Sequence, residues 1–278
     1  MPEAPPLIAR THTWWTILCI CFEERLVYRA DFMLATFMRF LPIVTQIFLW
    51  GAIFAAANRS DIQGYRYQDF VAYYLLTMIT RAFSSMPQLA SGIALQIRNG
   101  EIKKFLIQPI DLVGFLLLSR IAHKLVYYLI ALAPFALVFY LCRGYFVDGW
   151  PDGATLGAYV VSLVLAFLLG FFLEATIGMI GFWWLEVQSL LFVYMLLNYF
   201  FSGHMFPLDI LPEPWESVFR CLPLQYLAYF PTAVFLGKIQ GQALVQGLAI
   251  QGAWVVLFVI ACRVSLHSGL KRYSGFGG

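Results

Sequence analysis

The stretch Ile97-Arg98-Asn99-Gly100-Glu101-Ile102-Lys103-Lys104-Phe105-Leu106-Ile107-Gln108-Pro109-Ile110-Asp111 interrupts a chain that is otherwise mostly apolar. Gly100 permits a backbone break after a helix. Glu101 to Ile107 then reads as a short helix, with Ile102, Phe105 and Leu106 on one side and Lys103 and Lys104 on the other. Pro109 ends it, because the residue before a proline is pushed out of the helical region. The competing reading is a charged loop that only satisfies topology.

Outward from this loop the chain reads as membrane. Of its 278 residues 61% are hydrophobic and 12% charged, against roughly 25% charged in a soluble domain. A soluble fold of this length could not hide so much apolar surface, whereas a bilayer accepts it. Met1-Pro2-Glu3-Ala4-Pro5-Pro6 lacks the basic start and apolar core of a cleavable signal. The five cysteines have no metal-ligand spacing and read as free thiols.

A spanning helix needs ~20 mostly apolar residues. Six stretches are predicted to cross: 31–57, 69–93, 112–142 with Pro134 as a kink, 155–181, a shorter 185–202, and 242–262. Six crossings put both ends on one side, and Lys/Arg bias picks the side. Arg10, Arg25, Arg29, Arg98, Lys103, Lys104, Arg120, Lys124, Arg263, Lys271 and Arg272 fall on one face, eleven in all. Arg59, Arg66, Arg143, Arg220 and Lys238, five, fall on the other. Both termini are therefore expected in the cytoplasm. Before the first span, Trp14, Leu18 and Phe22 recur at helical spacing, with Glu23, Glu24 and Arg29 on the polar side. This suits a helix lying in the interface, or else an extension of the first span into the headgroups. No repeat or linker divides the chain. One domain is expected over 1–278: a tail and interfacial helix over 1–30, a bundle over 31–262 and a tail over 263–278.

No phosphate-binding loop of the G-x-x-x-x-G-K-[ST] kind occurs, so ATP cannot be cradled in that way. Ser202 and His204 lie close in sequence, but a hydrolase needs a spatial pair and an orienting acid, and a turn is the better reading. No catalytic residue, metal site or nucleic-acid partner is expected. Three charges fall inside predicted spans, Arg39, Arg81 and Glu174. Such groups face a partner or a cavity unless they snorkel. Glu174 is expected to pair with Arg81 or Arg39. Between the last two spans, 201–231 is rich in proline, including Pro207, Pro212, Pro223 and Pro231, and cannot be one straight helix. Irregular backbone at membrane depth survives only when buried in protein or lining water. A re-entrant hairpin opening at Gly203 satisfies this, and Pro214-Trp215-Glu216 reads as a helix start.

In order and spacing, these features resemble the ABC-2-type ABC transporter permeases, closest to a bacterial branch of roughly 260–280 residues. The matching stretches are Tyr28-Arg29-Ala30-Asp31-Phe32, Arg98-Asn99-Gly100-Glu101 to Gln108-Pro109, Ser202-Gly203 through Pro207-Leu208 to Leu211-Pro212, Pro223-Leu224-Gln225-Tyr226 to Phe230-Pro231 with Leu236-Gly237-Lys238, and Gly269-Leu270-Lys271-Arg272-Tyr273 to Gly277-Gly278. The resemblance implies an all-α, six-span subunit of an exporter with the type V layout, in the bacterial inner membrane and surrounded by lipid. It implies a dimer with an identical or paralogous permease and two cytoplasmic ATPase subunits. ATP and Mg would belong to the ATPase, with no cofactor in this chain. It assigns ATPase coupling to Arg98, Gly100, Glu101, Lys103, Lys104 and Pro109, shared with the interfacial helix through Trp14, Glu23, Glu24 and Arg29. It assigns the lid of an exit path to the hairpin at Gly203, Pro207, Pro212, Pro223 and Pro231. The alternative is a permease-like subunit that docks an ATPase for signalling or envelope remodelling and moves no small molecule.

Overall fold

The structure is a computed structural model. It describes residues 7–27, 29–57, 61–108, 110–147, 149–184 and 186–273, with the side chains of 7–11, 29–32, 35, 37 and 39 outside the description. The described chain is α-helical apart from one two-stranded hairpin. In order come α1 (Leu7–Val27), α2 (Arg29–Ala57), β1 (Asp61–Ile62), β2 (Tyr65–Arg66), α3 (Tyr67–Ser84), α4 (Leu89–Arg98), α5 (Lys103–Leu106) and α6 (Leu112–Leu141). Then follow α7 (Gly153–Met179), α8 (Gln188–Phe201), α9 (Trp215–Arg220), α10 (Tyr229–Phe235) and α11 (Gly241–Leu270). Among the described residues, four helical stretches are long and apolar enough to cross a membrane: 40–57, 112–141, 153–182 and 241–270.

These four match the first, third, fourth and sixth predicted spans. The other two differ from expectation. The predicted span 69–93 is two helices, broken between Ser84 and Leu89, where Ser85 is extended and Gln88 is left-handed at φ 62°. The reason is composition: α3 carries Tyr73, Tyr74, Thr77, Thr80 and Arg81 and is buried in protein along most of its length. Its polar groups need protein partners, not lipid. The predicted span 185–202 is a 14-residue α8. At 1.5 Å per residue that is about 21 Å, short of the ~30 Å hydrocarbon core. Pro42 and Pro134 both lie inside helices that continue through them.

The chain forms two compact units, 1–42 with 103–141, and 43–102 with 142–278. In the first, α1 packs along α6. Asp111 caps α6 by accepting from the Gly114 amide at 2.7 Å, and the Trp14 ring closes on the same turn: a Cβ at Gly114 would lie 3.0 Å from it. Cys21, Ala122, Val126 and Ala131 are buried here. So is Lys124, which the topology count had assigned to the cytoplasmic face; the residue is not without a partner.

In the second unit α7 is the central post, with α3, α4, α10 and α11 around it. Small residues set the approach. A Cβ at Gly170 would run into the Ser84 carbonyl, and one at Gly178 would lie 2.9 Å from the Ala90 carbonyl oxygen. Between apolar helices with no water to expel, backbone contact of this kind supplies the packing that large side chains would prevent. Gln251 of α11 is fully buried and ties three elements together. Its amide oxygen accepts from Ser162 Oγ at 3.0 Å, and its nitrogen donates to the Ser162 and Tyr226 carbonyls.

Candidate coupling surface and transport path

α4 ends in a Schellman motif. Gly100 is left-handed at φ 71°, its amide donates to the Ile97 carbonyl at 3.1 Å, and the Glu101 amide donates to the Gln96 carbonyl at 2.9 Å. Those bonds satisfy carbonyls that a helix end leaves open, and the positive φ is why glycine stands there. Ile102 is buried directly after the turn, while Arg98 and Glu101 stay exposed. Arg98 reaches Glu186, after α7, at 3.9 Å; both groups are more than half exposed, so this pair contributes little energy. The stiffness of the turn comes instead from α4 being seated on α7 at Gly178 and on the 3-10 turn that follows it at Gly181.

In the other unit, α5 spans Lys103–Leu106, shorter than the predicted 101–107. Phe105 packs on Phe115 with ring centroids 5.3 Å apart, and Lys103 and Lys104 are exposed. Leu106 does not join the apolar side as predicted. It is 52% exposed and Ile107 is 83% exposed, because a four-residue helix has too little surface to turn both inward. Two bare aliphatic side chains beside two lysines make an apolar knob with a basic rim. Pro109 lies outside the described residues, as do Tyr28, Gly277 and Gly278. On α1, Trp14 is half-buried against α6, Glu23 and Glu24 are exposed, and the Arg29 side chain lies outside the description.

The proline-rich segment packs into the second unit. Gly203 is left-handed at φ 78° and buried. Tyr73 donates to its carbonyl, Tyr74 donates to the Met205 carbonyl at 2.6 Å, and Trp50 donates to the Tyr74 oxygen at 2.9 Å. Tyr65 of the β-hairpin donates to Asp209 at 2.8 Å. Burial and the Asp209 carboxylate push the Tyr65 phenol well above its ordinary value, since both disfavour a phenolate. Pro207 is buried at a 3-10 turn over Leu208–Ile210, Pro212 is exposed, and α9 begins directly after Pro214, as predicted. Pro223 opens a second 3-10 turn over Pro223–Leu227. Pro231 lies in α10, all seven residues of which are buried. The irregular backbone is thus sheltered by protein at Ser202, Gly203, Pro207 and Leu208 and again over 224–235, while Pro212 to Trp215 stand exposed.

Arg81 and Glu174 are half-buried, on α3 and α7, and neither is without a partner. Tyr194 of α8 lies within electrostatic reach of both, and His204 within reach of Arg81. The Arg39 side chain lies outside the description. Sequence reasoning missed the polar atoms gathered where α8 ends. Asn198 Oδ1, Ser202 Oγ and His204 Nδ1 are buried without a hydrogen-bond partner among the described residues. Ser202 and His204 are therefore not a nucleophile–base pair. The available signal was spacing: Asn198 and Ser202 stand four apart, on one face of an apolar helix. The tyrosine network and Gln251 were missed too, because an aromatic or amide in a span is as often a belt residue as a core one.

The sequence matches the family model described as ABC-2 family transporter protein over residues 40–277, and the chain belongs to that family. It is an ABC-2-type permease, the multi-pass membrane subunit of a transporter and not its ATPase. No curated protein matches the chain.

Proposed function

We propose that this chain is the permease of an ATP-driven exporter in the bacterial inner membrane, with both termini cytoplasmic. It works as one permease domain in a dimer with an identical or paralogous subunit. Two ATPase subunits, carrying ATP and Mg, dock on the loop from Arg98 to Pro109 and on the polar side of α1. One observation carries the reading. The glycine-sealed end of α4, seated on α7, hands the chain to an exposed apolar and basic knob at 103–107. A displacement there acts on a stiff helix end, and differential contacts in two states are what coupling requires. In the six-span reading, α3 with α4 and α8 complete the crossings with help from their protein neighbours. The segment from Gly203 through Pro231 is then a re-entrant lid over an exit path, and Glu174 pairs with Arg81 beside it.

The test is co-purification in mild detergent followed by transport into liposomes. Recovery of an ATP-binding-cassette ATPase, its loss with Lys103→Glu/Lys104→Glu, and ATP-dependent movement of cargo are the expected results. Recovery of the chain alone would overturn the docking assignment. A complex that hydrolyses ATP but moves no cargo would favour the signalling or envelope-remodelling alternative.

A further inference from the structure

A cavity of about 400 Å³ opens in the second unit between the start of α3, the linker into α7 and the linker into α11. That volume is in the range of small-ligand sites, roughly 300–1,000 Å³. Its aromatic wall is built. Phe146 and Trp150 lie parallel, 6.1 Å apart at 4°, and Phe235 meets both edge-on at about 6 Å. Trp150 is 74% exposed, so its ring face is open to a ligand.

The charges in the lining divide by whether they are spent. Asp69 is consumed by Arg66, whose guanidinium and backbone amide all bond to it. Asp152 is fully exposed, and hydrogen bonds from Thr155 hold its carboxyl below the usual range, so it is an anion at any working pH. Lys238 gives one N–H to the Gly64 carbonyl at 2.9 Å and lies over the Tyr65 ring, 4.5 Å from its centroid, which still leaves an N–H on the side away from both. Among the described residues the cavity thus offers one usable anion, Asp152, beside an open tryptophan, and one usable cation, Lys238, on the opposite linker. A cation is drawn to an indole face, and a phosphate to an ammonium. The cavity also stands where α7, one of the membrane-crossing stretches, begins at Gly153. A lone Trp at that depth would be an ordinary belt residue. A parallel pair walled by a third ring, with opposed charges, is more than a belt requires.

We infer that this cavity binds the headgroup of a zwitterionic phospholipid, its ammonium against Trp150 and Asp152 and its phosphate against Lys238. The inference needs only the membrane location, so its failure would leave the exporter reading standing. Native mass spectrometry of the full chain, or of its complex, with phosphatidylethanolamine and phosphatidylglycerol of matched acyl chains tests it. Wild type should retain the ethanolamine lipid roughly fivefold better, the scale of one exposed cation–π contact. Asp152→Asn keeps a side chain that caps a helix and should erase the preference. Trp150→Ala should do the same without touching that cap, which covers the case where Asp152→Asn fails to fold. Lys238→Met should weaken both lipids. Trp254→Ala, at a half-buried ring pair on α11 that does not line the cavity, should change neither. Equal retention of the two lipids by wild type, or a preference that survives both Asp152→Asn and Trp150→Ala, would overturn the inference. Soluble glycerophosphoethanolamine should bind more weakly than the lipid; equal affinity would overturn the lipid as the source in favour of a soluble phosphoamine.

Discussion

Gly203→Ala is the sharpest test of how the irregular segment is held. The glycine sits at φ 78°, where an L side chain costs about 1–2 kcal/mol. A Cβ there would also lie 2.5 Å from Tyr229 Cβ and 2.9 Å from the Tyr73 oxygen, against an ordinary carbon contact of about 3.5–4.0 Å. Relief requires a shift of ~1 Å in a fully buried wall, and overpacking of this kind costs about 1–3 kcal/mol. The sum is about 2–5 kcal/mol. Gly64→Ala separates the two contributions. It has nearly the same dihedral, φ 76°, but nothing within 4 Å of the added carbon, so only the conformational cost of about 1–2 kcal/mol applies. Equilibrium unfolding in mixed micelles should show Gly203→Ala less stable than Gly64→Ala by about 1–3 kcal/mol. Equal losses would refute the claim that close packing of Gly203 on Tyr73 and Tyr229 locks the segment.

Three further outcomes follow from the same contacts. Gln251→Leu should destabilise the second unit by about 1–3 kcal/mol in the same assay, because it strips the partner from Ser162 Oγ and from two carbonyls where no water can replace it. For Tyr65, the folded state raises the phenol above its ordinary value of 10.0. The folded form therefore favours the neutral phenol, so its contribution is complete below about pH 10 and is lost as the pH climbs past that value. Tyr65→Phe should flatten that alkaline decline in stability while costing about 1 kcal/mol at neutral pH through the bond lost to Asp209. A paired Arg81 and Glu174 should show coupling: Arg81→Glu with Glu174→Arg should recover stability and transport that either single reversal removes, and a double variant no better than the singles would dismiss the pair.

How much of this was legible in the sequence depends on the solvent each segment meets. α6 and α11 are exposed over much of their length, and the stretch around α7 is an apolar run of 30 residues, so apolar run length alone located them. α3 was misread as part of one continuous span. Its neighbours are protein, and a run such as Tyr73-Tyr74-Leu75-Leu76-Thr77 carries no mark that says which medium covers it. Gly100 was readable, because a glycine closing an apolar run before charges has few other uses. Leu106 was not, since pattern alone does not say that a helix will stop after one turn. The polar atoms of Asn198, Ser202 and His204 were visible as residues but not as a group, because the chain reverses at Gly203 to bring the last of them back.

The glycines of α7 connect these observations to function. Gly170 and Gly178 let α3 and α4 approach α7 at backbone distance, and backbone contact has little slack: a packed core shifts between discrete arrangements and does not deform continuously. A load at the Gly100 turn therefore moves α4 and α7 together or not at all. α10 is buried beside the same α7 and follows the 3-10 turn whose Tyr226 carbonyl accepts from Gln251 of α11, so it is the element such a movement reaches next. If 103–107 is the docking surface as proposed, a bulky residue at Gly178 should for that reason leave this exposed knob intact, and so leave ATPase recovery unchanged, while it separates ATP hydrolysis from transport. If Gly178→Leu instead abolished ATPase recovery with the fold preserved, α4 would be part of the docking surface itself and not the lever behind it.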